Sequence, residues 1–323
     1  MDRVVRMVGV GGVDRLEVAE TAARPPGPGE VRVRHEAIGV NFIDIYQRTG
    51  LYPLPLPAVL GAEGAGRVEA LGDGVGGFAI GDRVAYAGAP VGAYATARSL
   101  PASRLVALPE TIPSRLAAAS MLKGLTAHML LTRTYPVTEG STLLIHAAAG
   151  GLGALLTRWA KRLGAQVIVT AGSPEKARIA IGHGADHVVV GRKADLPAEI
   201  AALTGGCGVD FAIDGIGGAM LRKTLACVRR FGTVASIGQA AGPIPPLAVE
   251  ELGPVRSLSL ARPSVMAYAA DPELYMQGMA DLLALMQEGI AAEIGGEYPL
   301  AEAARAQADL EAGRTTGSLL LIP

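Results

Sequence analysis

The feature that most constrains this 323-residue chain is the stretch from Thr142 to Ala171, where a glycine-rich turn separates two apolar runs. Thr142 to Ala147 and Gln166 to Ala171 have the composition of buried strands, and about Leu152 to Leu163 has the pattern of a helix. Gly164 stands where a helix C-cap belongs. This order predicts a βαβ unit, the smallest piece of a parallel sheet.

The turn in this unit has the composition of a dinucleotide-binding site. Gly150 and Gly153 allow the backbone to approach a pyrophosphate and the helix to pack tightly on the strand, while Ala148 replaces the first glycine of the usual G-x-G-x-x-G. The N–H groups that open the helix would point at the anion. We therefore predict a cofactor site here, against the alternative of a merely structural glycine turn.

The end of the second strand indicates which dinucleotide is bound. NAD enzymes place an acid about 20 residues after the glycines to bind the ribose 2′-OH. Here the chain reads Thr170-Ala-Gly-Ser-Pro-Glu-Lys176, with no acid at the strand tip. Small residues at Gly172 and Ser173 and a cation at Lys176 favour a 2′-phosphate, and hence NADPH. Lys176 is alternatively a solvated helix cation, and Ser173 with Pro174 is also a good N-cap; both interpretations can hold at once.

Composition excludes several classes of protein. The net charge of −1 and the pI near 6.5 give no global attraction for nucleic acid or an anionic membrane. The first residues show no long apolar core with a cleavage site, and no apolar run approaches about 18 residues, so we expect a soluble, cytoplasmic protein without a membrane partner. Cys207, Cys227 and the five scattered histidines form neither a redox pair nor a metal cluster.

The composition and the hydrophobic pattern of the chain change near residue 122. Residues 1–122 are rich in Gly and Pro and contain short alternating segments such as Glu30 to His35, which predict a β-rich domain. Residues 123–267 alternate strands with helices, which predicts an α/β fold with a doubly wound parallel (Rossmann) sheet. After the βαβ unit we predict a helix from Pro174, a strand at His187–Val190, a helix near Leu196–Thr204, a strand at Val209–Asp214, a helix at Gly218–Arg230 and strands at Thr233–Gly238 and Val255–Ala261. In residues 268–323 we predict helices at about Pro272–Glu288 and Leu300–Ala312 and a final strand at Ser318–Pro323.

Motifs spread in order over almost the whole chain carry a family resemblance. They are Ala37–Asp44 with Tyr46 and Gly50–Pro53, then Gly61–Gly66, Lys123–Thr126, His146–Gly153, Arg262–Ser264 and Gly317–Pro323. In these segments the chain resembles the zinc-independent, zeta-crystallin-like NADPH:quinone oxidoreductases of the medium-chain dehydrogenase/reductase superfamily. The resemblance implies a GroES-like catalytic domain of residues 1–122 and 268–323, a Rossmann domain of residues 123–267, a quinone substrate, and a homodimer paired through the edge strand Val255–Ala261.

The resemblance also implies a set of site residues. The candidate catalytic residues are Asn41, Asp44, Tyr46 and Tyr52. The implied cofactor contacts are Asn41, Ile43, Tyr46, Thr126, Gly150, Gly151, Leu152, Gly172, Ser173, Lys176, Arg192, Gly215, Gly238, Arg262 and Arg314. Gly215 and Gly238 are supported independently, because strand ends at the switch-point crevice bind ligand in such sheets.

Three of these assignments have an alternative interpretation. Tyr46 and Tyr52 either donate to or stack on a ring, or they simply pack in the β domain. Asp44 either takes part in the chemistry or orients a neighbour. Gly191 and Arg192 stand where relatives carry a tyrosine, so Arg192 is either a new phosphate-binding cation or a solvated loop residue.

Finally, the resemblance implies chemistry without a metal. Asn41 and Ala62 occupy the positions of a cysteine and a histidine that ligate zinc in zinc-dependent relatives, and Glu63 alone cannot assemble such a site. Without a Lewis acid, the acceptor is expected to be electron-poor. A quinone meets that demand; the alternatives are an activated C=C bond of an enone, alkenal or enoyl thioester, or a non-catalytic NADPH-binding or RNA-binding role, which the near-neutral charge disfavours for RNA.

Overall fold

The parallel sheet predicted from the βαβ unit lies in Thr126–Ser264, one of two units into which the chain divides; the other comprises Met1–Leu125 and Val265–Pro323. The computed structural model describes all 323 residues. In chain order the elements are β1 (Asp2–Met7), β2 (Leu16–Thr21), β3 (Glu30–Val40), α1 (Phe42–Arg48), β4 (Ala58–Val59), β5 (Glu63–Leu71), β6 (Arg83–Ala87), β7 (Ala97–Pro101), β8 (Val106–Ala107), α2 (Ser114–His128), β9 (Thr142–Ile145), α3 (Gly151–Arg162), β10 (Gln166–Ala171), α4 (Pro174–Gly182), β11 (His187–Val190), α5 (Leu196–Leu203), β12 (Val209–Asp214), α6 (Met220–Cys227), β13 (Val228–Ser236), β14 (Ser259–Ala261), α7 (Val265–Ala270), α8 (Pro272–Gln287), β15 (Ile294–Pro299), α9 (Ala303–Glu311) and β16 (Ser318–Ile322).

The unit of Thr126–Ser264 has the predicted doubly wound architecture. Its six strands pair in the order β11-β10-β9-β12-β13-β14, and every pairing is parallel. Apolar side chains from the strands and from α5 and α6 form its core, including Leu144, Ile168, Ile200, Ala212 and Leu225. The fold class predicted from the sequence is therefore confirmed for this unit.

Several predicted boundaries are wrong around α6. The helix predicted over Gly218–Arg230 ends at Cys227, and β13 begins at Val228 instead of Thr233. Val228 pairs with Val209 before the register shifts, and a Cβ atom at Gly232 would lie 2.8 Å from the carbonyl oxygen of Asp210. Helical and extended structure suit the apolar run here equally well, and sheet pairing decides between them.

Other boundaries differ by less. The first strand of the βαβ unit ends at Ile145, two residues before the predicted end, because the chain already turns at Ala147, where φ is +54°. The predicted strand Val255–Ala261 is reduced to the three residues of β14, and it lies at the edge of the sheet as predicted. The helix predicted from Leu300 begins with a 3-10 turn, and α9 follows from Ala303.

The other unit is built mainly on antiparallel pairing, with β15 and β16 as its one parallel pair. β1 pairs with β2 and β4, while β15, β16, β3, β5, β6 and β8 form a larger sheet in that order, with β7 also paired to β3. Three helices that lie wholly or mostly in this unit had no sequence prediction, α1, α2 and α7. The aromatic and β-branched residues of α1 resemble a strand, but Asp44 accepts the backbone N–H of Asn41 at 2.9 Å and so helps the helix to begin. None of the helices of the chain has the length and apolar character needed to cross a bilayer.

Candidate active site

The glycine turn after β9 is shaped for a close backbone approach. α3 begins directly after Gly150 without a side-chain cap, so the first N–H groups, those of Gly151 and Leu152 among them, have no intrahelical partner. A Cβ atom at Gly153 would lie only 2.6 Å from the carbonyl oxygen of Ala147, and one at Gly150 would lie 3.2 Å from that oxygen. Only glycine fits at Gly153, and the uncapped helix end suits a pyrophosphate.

The tip of β10 carries both signs of charge. Ser173 caps α4 as predicted, since its Oγ accepts the N–H of Lys176 at 3.3 Å. Glu175 lies in the same first turn, and its pKa is lowered, first by its own backbone N–H and then by the Ser173 hydroxyl. The prediction of a tip without an acid holds for Gly172 and Ser173, but this carboxylate lies only two residues beyond Ser173.

Arg192 lies beside this tip. The N–H of Gly191 donates to the carbonyl oxygen of Ala171 at 2.8 Å, which ties the end of β11 to the end of β10. Arg192 Nε is 3.8 Å from the position that a Cβ atom would take on Gly172. The Arg192 guanidinium therefore lies beside the exposed backbone of Gly172.

A chain of hydrogen bonds, buried at its Asp214 end and unpredicted from the sequence, supports the glycine turn. The Thr224 hydroxyl donates to Asp214 Oδ2 at 3.0 Å and accepts from His146 Nε2 at 2.8 Å. His146 Nδ1 then accepts from Thr170 Oγ1 at 3.0 Å, and that oxygen accepts the N–H of Ala147 at 3.3 Å. Burial lowers the pKa of His146, so we assign a neutral imidazole, and these directions of donation correspond to its tautomer protonated on Nε2.

The same chain supports the turn after β12. Asp214 is fully buried, and its Oδ1 accepts the N–H groups of Ile216 at 2.7 Å and Gly217 at 3.0 Å. The predicted contact Gly215 lies inside this turn. One hydrogen-bonded chain thus shapes the ends of both β9 and β12, which no local sequence signal indicated.

The remaining predicted contacts of this unit are Thr126, Gly238 and Arg262. Thr126 is half-buried on α2, and Gly238 is buried two residues beyond β13. Arg262 follows β14, and its Nη1 donates to Ser236 at 3.0 Å (backbone oxygen) and 3.1 Å (Oγ). With the exception of Thr126, the predicted contacts in this unit lie at or just beyond the carboxyl ends of the parallel strands, the edge at which doubly wound sheets bind ligands.

In the other unit, Asp44 is a buried residue that holds its neighbours. Its Oδ2 accepts the N–H of Asn41 at 2.9 Å and the hydroxyl of Tyr94 at 3.0 Å, and Oδ1 has no hydrogen-bond partner. Burial raises the pKa of Asp44 to about 7. These contacts support the alternative in which Asp44 orients a neighbour.

Asn41 contacts two charged residues that sequence reasoning did not assign to the site. Its Nδ2 donates to Glu63 Oε1 at 2.8 Å, and its Oδ1 accepts from Lys123 Nζ at 2.8 Å. Lys123 also donates to Glu63 Oε1 at 3.1 Å. A signal existed, because Lys123 is the one charge in the apolar run Leu116–Leu125, and a buried ammonium requires an anionic partner.

The two candidate tyrosines contact each other. The rings of Tyr46 and Tyr52 meet edge to face with centroids 5.6 Å apart, and Phe42 lies 6.0 Å from Tyr46. Tyr52 is exposed and both Tyr46 and Ile43 are half-buried. This contact packs one side of each tyrosine ring, as the packing interpretation requires. The exposed surface of Tyr52 is accessible to a ligand, as the ring-binding interpretation requires.

Arg314 is not brought into hydrogen-bonding contact with the Asn41 group. It is exposed, and its Nε donates to Asp309 Oδ1 at 3.1 Å. It lines an open hollow of about 580 Å³ together with Arg48 and Glu311.

A doubly wound parallel sheet with an uncapped glycine cradle, in a chain with a second, mainly antiparallel unit, is typical of the class of two-domain dinucleotide-dependent oxidoreductases. Two family models match the chain: the alcohol dehydrogenase GroES-like domain over residues 27–110 and the zinc-binding dehydrogenase over residues 151–284. Known relatives match over the full length, and the chain belongs to the zeta-crystallin-like quinone oxidoreductase family of the medium-chain dehydrogenase/reductase superfamily.

Three comparisons illustrate this membership. The chain is 45% identical to a quinone oxidoreductase of Pseudomonas aeruginosa, with 100% of each chain covered. It is 39% identical to a 2-haloacrylate reductase of a Burkholderia species, covering 97% of this chain and 96% of that protein. The crystal structure of Escherichia coli quinone oxidoreductase complexed with NADPH matches with a TM-score of 0.96 and 38% identity over 100% of both chains. No group of three or more His, Cys, Asp and Glu side chains is gathered as a metal ion would require.

Proposed function

We propose that this chain is an NADPH:quinone oxidoreductase in which residues 123–267 bind the cofactor and residues 1–122 with 268–323 supply the acceptor side. The observation that carries the proposal is the glycine cradle at Gly153, found in a chain that is 45% identical over its whole length to a quinone oxidoreductase. NADPH, when bound, supplies a hydride to the acceptor.

The residues at the strand ends fit NADPH. The uncapped N-terminus of α3 at Gly150, Gly151 and Leu152 would hold the pyrophosphate. Arg192 and Lys176 would hold the 2′-phosphate beside the exposed backbone of Gly172. The Glu175 carboxylate opposes this binding, and two cations against one acid leave a net positive charge at the tip. Gly215, Gly238, Arg262 and Thr126 are proposed as further contacts, and Arg314 stays a prediction.

On the acceptor side, we propose that Asn41, Tyr46 and Tyr52 contact the acceptor or the nicotinamide. Ile43 would line the wall of the acceptor pocket. The exposed ring of Tyr52 suits stacking on a planar quinone. Asp44 is a positioning residue in this proposal, because both partners of its Oδ2 are neighbouring groups of the protein.

The proposal is tested with purified protein and NADPH. Enhancement or quenching of NADPH fluorescence reports binding, and loss of absorbance at the reduced-nicotinamide band reports turnover of 1,4-benzoquinone, 9,10-phenanthrenequinone and a small enone. We expect NADPH to bind and both quinones to be reduced. Failure to bind NADPH, or turnover of the enone alone, contradicts the proposal.

The comparisons favour quinone reduction over the second candidate, reduction of an activated C=C bond, which is considered because one relative is a 2-haloacrylate reductase. The enone arm of the same panel measures it, and 2-chloroacrylate belongs in that panel. NADPH binding without turnover of any acceptor would instead point to a non-catalytic role.

We also propose a homodimer formed through β14. Its three residues end the parallel sheet at one side, and an unpaired edge can pair with its two-fold mate. Val255 and Val249, which precede it, are 75% and 78% exposed. Analytical ultracentrifugation should give twice the chain mass of 33.0 kDa, and a single-chain mass at micromolar concentration would refute the dimer.

The proposed compartment is the cytoplasm. Cys207 and Cys227 are both free thiols, which suits a reducing compartment. Fractionation of the source cells should place the protein with cytoplasmic markers, and no nucleic acid is expected to copurify.

A further inference from the structure

Asn41, Glu63 and Lys123 form a buried cluster in which two N–H groups remain available. Lys123 Nζ donates to Asn41 Oδ1 and to Glu63 Oε1, at 2.8 and 3.1 Å, and Asn41 Nδ2 donates to the same Glu63 oxygen at 2.8 Å. An ammonium has three N–H groups and a carboxamide has two. After these bonds, Lys123 and Asn41 each keep one N–H group. The ammonium can only donate, so it also fixes which way the Asn41 amide faces.

The burial of the three residues places the donors outside and the carboxylate inside. Glu63 is fully buried and its Oε2 accepts the N–H of Leu122 at 2.6 Å, whereas Asn41 and Lys123 keep 8% and 9% of their surface. A Cβ atom at Gly39 would lie 2.1 Å from Glu63 Oε1, so the glycine makes room for the carboxylate behind the donors. The small surface that the cluster keeps therefore belongs to Asn41 and Lys123, and none of it belongs to Glu63.

The electrostatics of the cluster favour an anion at its outer side. Lys123 and Glu63 balance one positive and one negative charge, and the Glu63 oxygens are already occupied by donors. The remaining N–H groups of Lys123 and Asn41 would make charge-assisted hydrogen bonds to an added oxyanion. Such bonds are stronger in a partly desolvated environment than in water.

We propose that Lys123 Nζ and Asn41 Nδ2 together bind the oxyanion that develops on the quinone during its reduction. The inference rests on the proposed function. In the reaction, hydride transfer delivers two electrons and one proton from NADPH, which becomes NADP+. The transferred hydrogen forms an O–H bond on one quinone oxygen, both C=O π bonds are lost as the ring becomes aromatic, and the other oxygen of the resulting hydroquinone anion carries the negative charge. A proton from water then completes the hydroquinone. Donors placed where charge develops accelerate such a step, because they bind the transition state better than the neutral quinone.

The first test compares quinone reduction by Lys123→Met with that by the wild type and by Lys161→Met, which breaks an ion pair with Asp186 in the other unit. Lys123→Met should lower kcat/KM roughly 100- to 1,000-fold, the usual effect of removing one oxyanion donor. The loss should grow along a series of quinones whose hydroquinones are increasingly basic, since these leave more charge to stabilise. Lys161→Met should keep the wild-type rate. A loss that is the same for every quinone would overturn the proposal.

A second variant distinguishes a structural role of Lys123 from the oxyanion role. It removes the buried charge of Glu63, which Lys123→Met leaves unpaired. Lys123→Met with Glu63→Gln replaces both charges by neutral groups, and it should recover thermal stability without recovering the rate. If Lys123→Met alone does not fold, the double variant takes its place in the quinone series. Recovery of the wild-type rate by the double variant would show that Lys123 only neutralises Glu63, and would refute the oxyanion role.

A binding measurement distinguishes failure of this inference from failure of the proposed function. In the presence of NADP+, the protein should bind 4-nitrophenolate in preference to 4-nitrophenol, which lowers the apparent pKa of the dye read from its visible absorbance. Lys123→Met should abolish that shift. Quinone turnover with an unshifted dye would overturn the oxyanion pair alone. A Lys123-dependent dye shift without any quinone turnover would overturn the quinone assignment and leave the anion site standing.

Discussion

At the scale of single residues, the buried carboxyl of Asp44 has a consequence for stability that can be measured. Burial raises its pKa from 3.8 to about 7. A raised pKa in the folded state means that Asp44 favours folding below pH 3.8 and that this contribution is lost as the pH rises through about 7.

Asp44→Asn should therefore stabilise the protein more at pH 8 than at pH 4. The amide keeps an oxygen that accepts from Asn41 and Tyr94, and it removes a buried charge whose cost is about 4 kcal/mol by the pKa difference. Urea unfolding at the two pH values checks this. Asp186→Asn is the control, because ion pairing lowers the pKa of Asp186 and the variant should lose more stability at pH 8 than at pH 4.

Arg192 is expected to act on cofactor choice. Arg192→Ala should raise the Kd for NADPH about tenfold, the value of one hydrogen bond to a charged group, and should leave the Kd for NADH nearly unchanged. Lys193→Ala removes the adjacent exposed cation and is the matched control. Equal weakening of both cofactors, or equal effects of the two variants, would place Arg192 outside the phosphate site.

At the scale of elements, the packing of α3 on β9 depends on Gly153. Gly153→Ala puts a Cβ atom 2.6 Å from the carbonyl oxygen of Ala147, so the helix must shift. We expect a loss of about 1–3 kcal/mol in unfolding free energy and a loss of NADPH binding.

Gly182→Ala is the matched control for that prediction. Gly182 is also helical, at the end of α4, and an added Cβ atom meets nothing within 4 Å. It should stabilise the protein by up to about 1 kcal/mol, the helix preference for alanine over glycine. Thermal unfolding and NADPH titration of both variants decide the matter; similar behaviour would contradict the role of Gly153.

The elements that sequence reasoning predicted well are those whose signals are local. β10, β11 and β12 were located to the residue, because apolar strands between turn residues are unambiguous in a parallel sheet. α1 was not predicted, since its β-branched and aromatic residues oppose helix formation and its stability depends on the Asp44 cap. The boundary between α6 and β13 was misplaced because it depends on pairing with β12, a contact remote in sequence.

The candidate site shows the same division. The glycine cradle and the Ser173 cap were readable from spacing alone. The links from Asn41 to Glu63 and Lys123 join residues 22 and 82 positions apart. The chain through Thr224 likewise spans 78 positions to His146. Spacing cannot reveal such contacts without the fold, although a lone lysine in an apolar helix should raise the question of its partner.

At the scale of the whole molecule, a buried neutral histidine makes stability sensitive to acid. His35 donates from Nδ1 to the carbonyl oxygen of Ala95 and accepts at Nε2 from the Tyr86 hydroxyl, both at 2.7 Å. Burial, and secondarily the charge of Arg98, lower its pKa from 6.5 to about 4. The contribution of neutral His35 to the free energy of unfolding is fully present above pH 6.5 and is lost as the pH falls from 6.5 to about 4.

The expected loss over that interval is about 3 kcal/mol. His35→Gln carries no titratable group at this position, so the wild type minus the variant should show the slope directly. Urea midpoints at pH 7, 5.5 and 4.5 measure it. Parallel curves for the two proteins would show that His35 keeps its ordinary pKa.

The hydrogen-bonded chain from Asp214 through Thr224 and His146 to Thr170 limits how this protein can be re-engineered. Its end residues hydrogen-bond to the backbone of two separate turns, those after β9 and β12. A substitution that disturbs one turn therefore also disturbs the support of the other. Side chains such as Arg192 and Lys176 lie outside it and can be exchanged to change nucleotide preference one at a time. Thr170 lies only three residues before Ser173 in the sequence, yet its replacement should show strong epistasis with distant positions, and directed evolution should find few neutral routes through it.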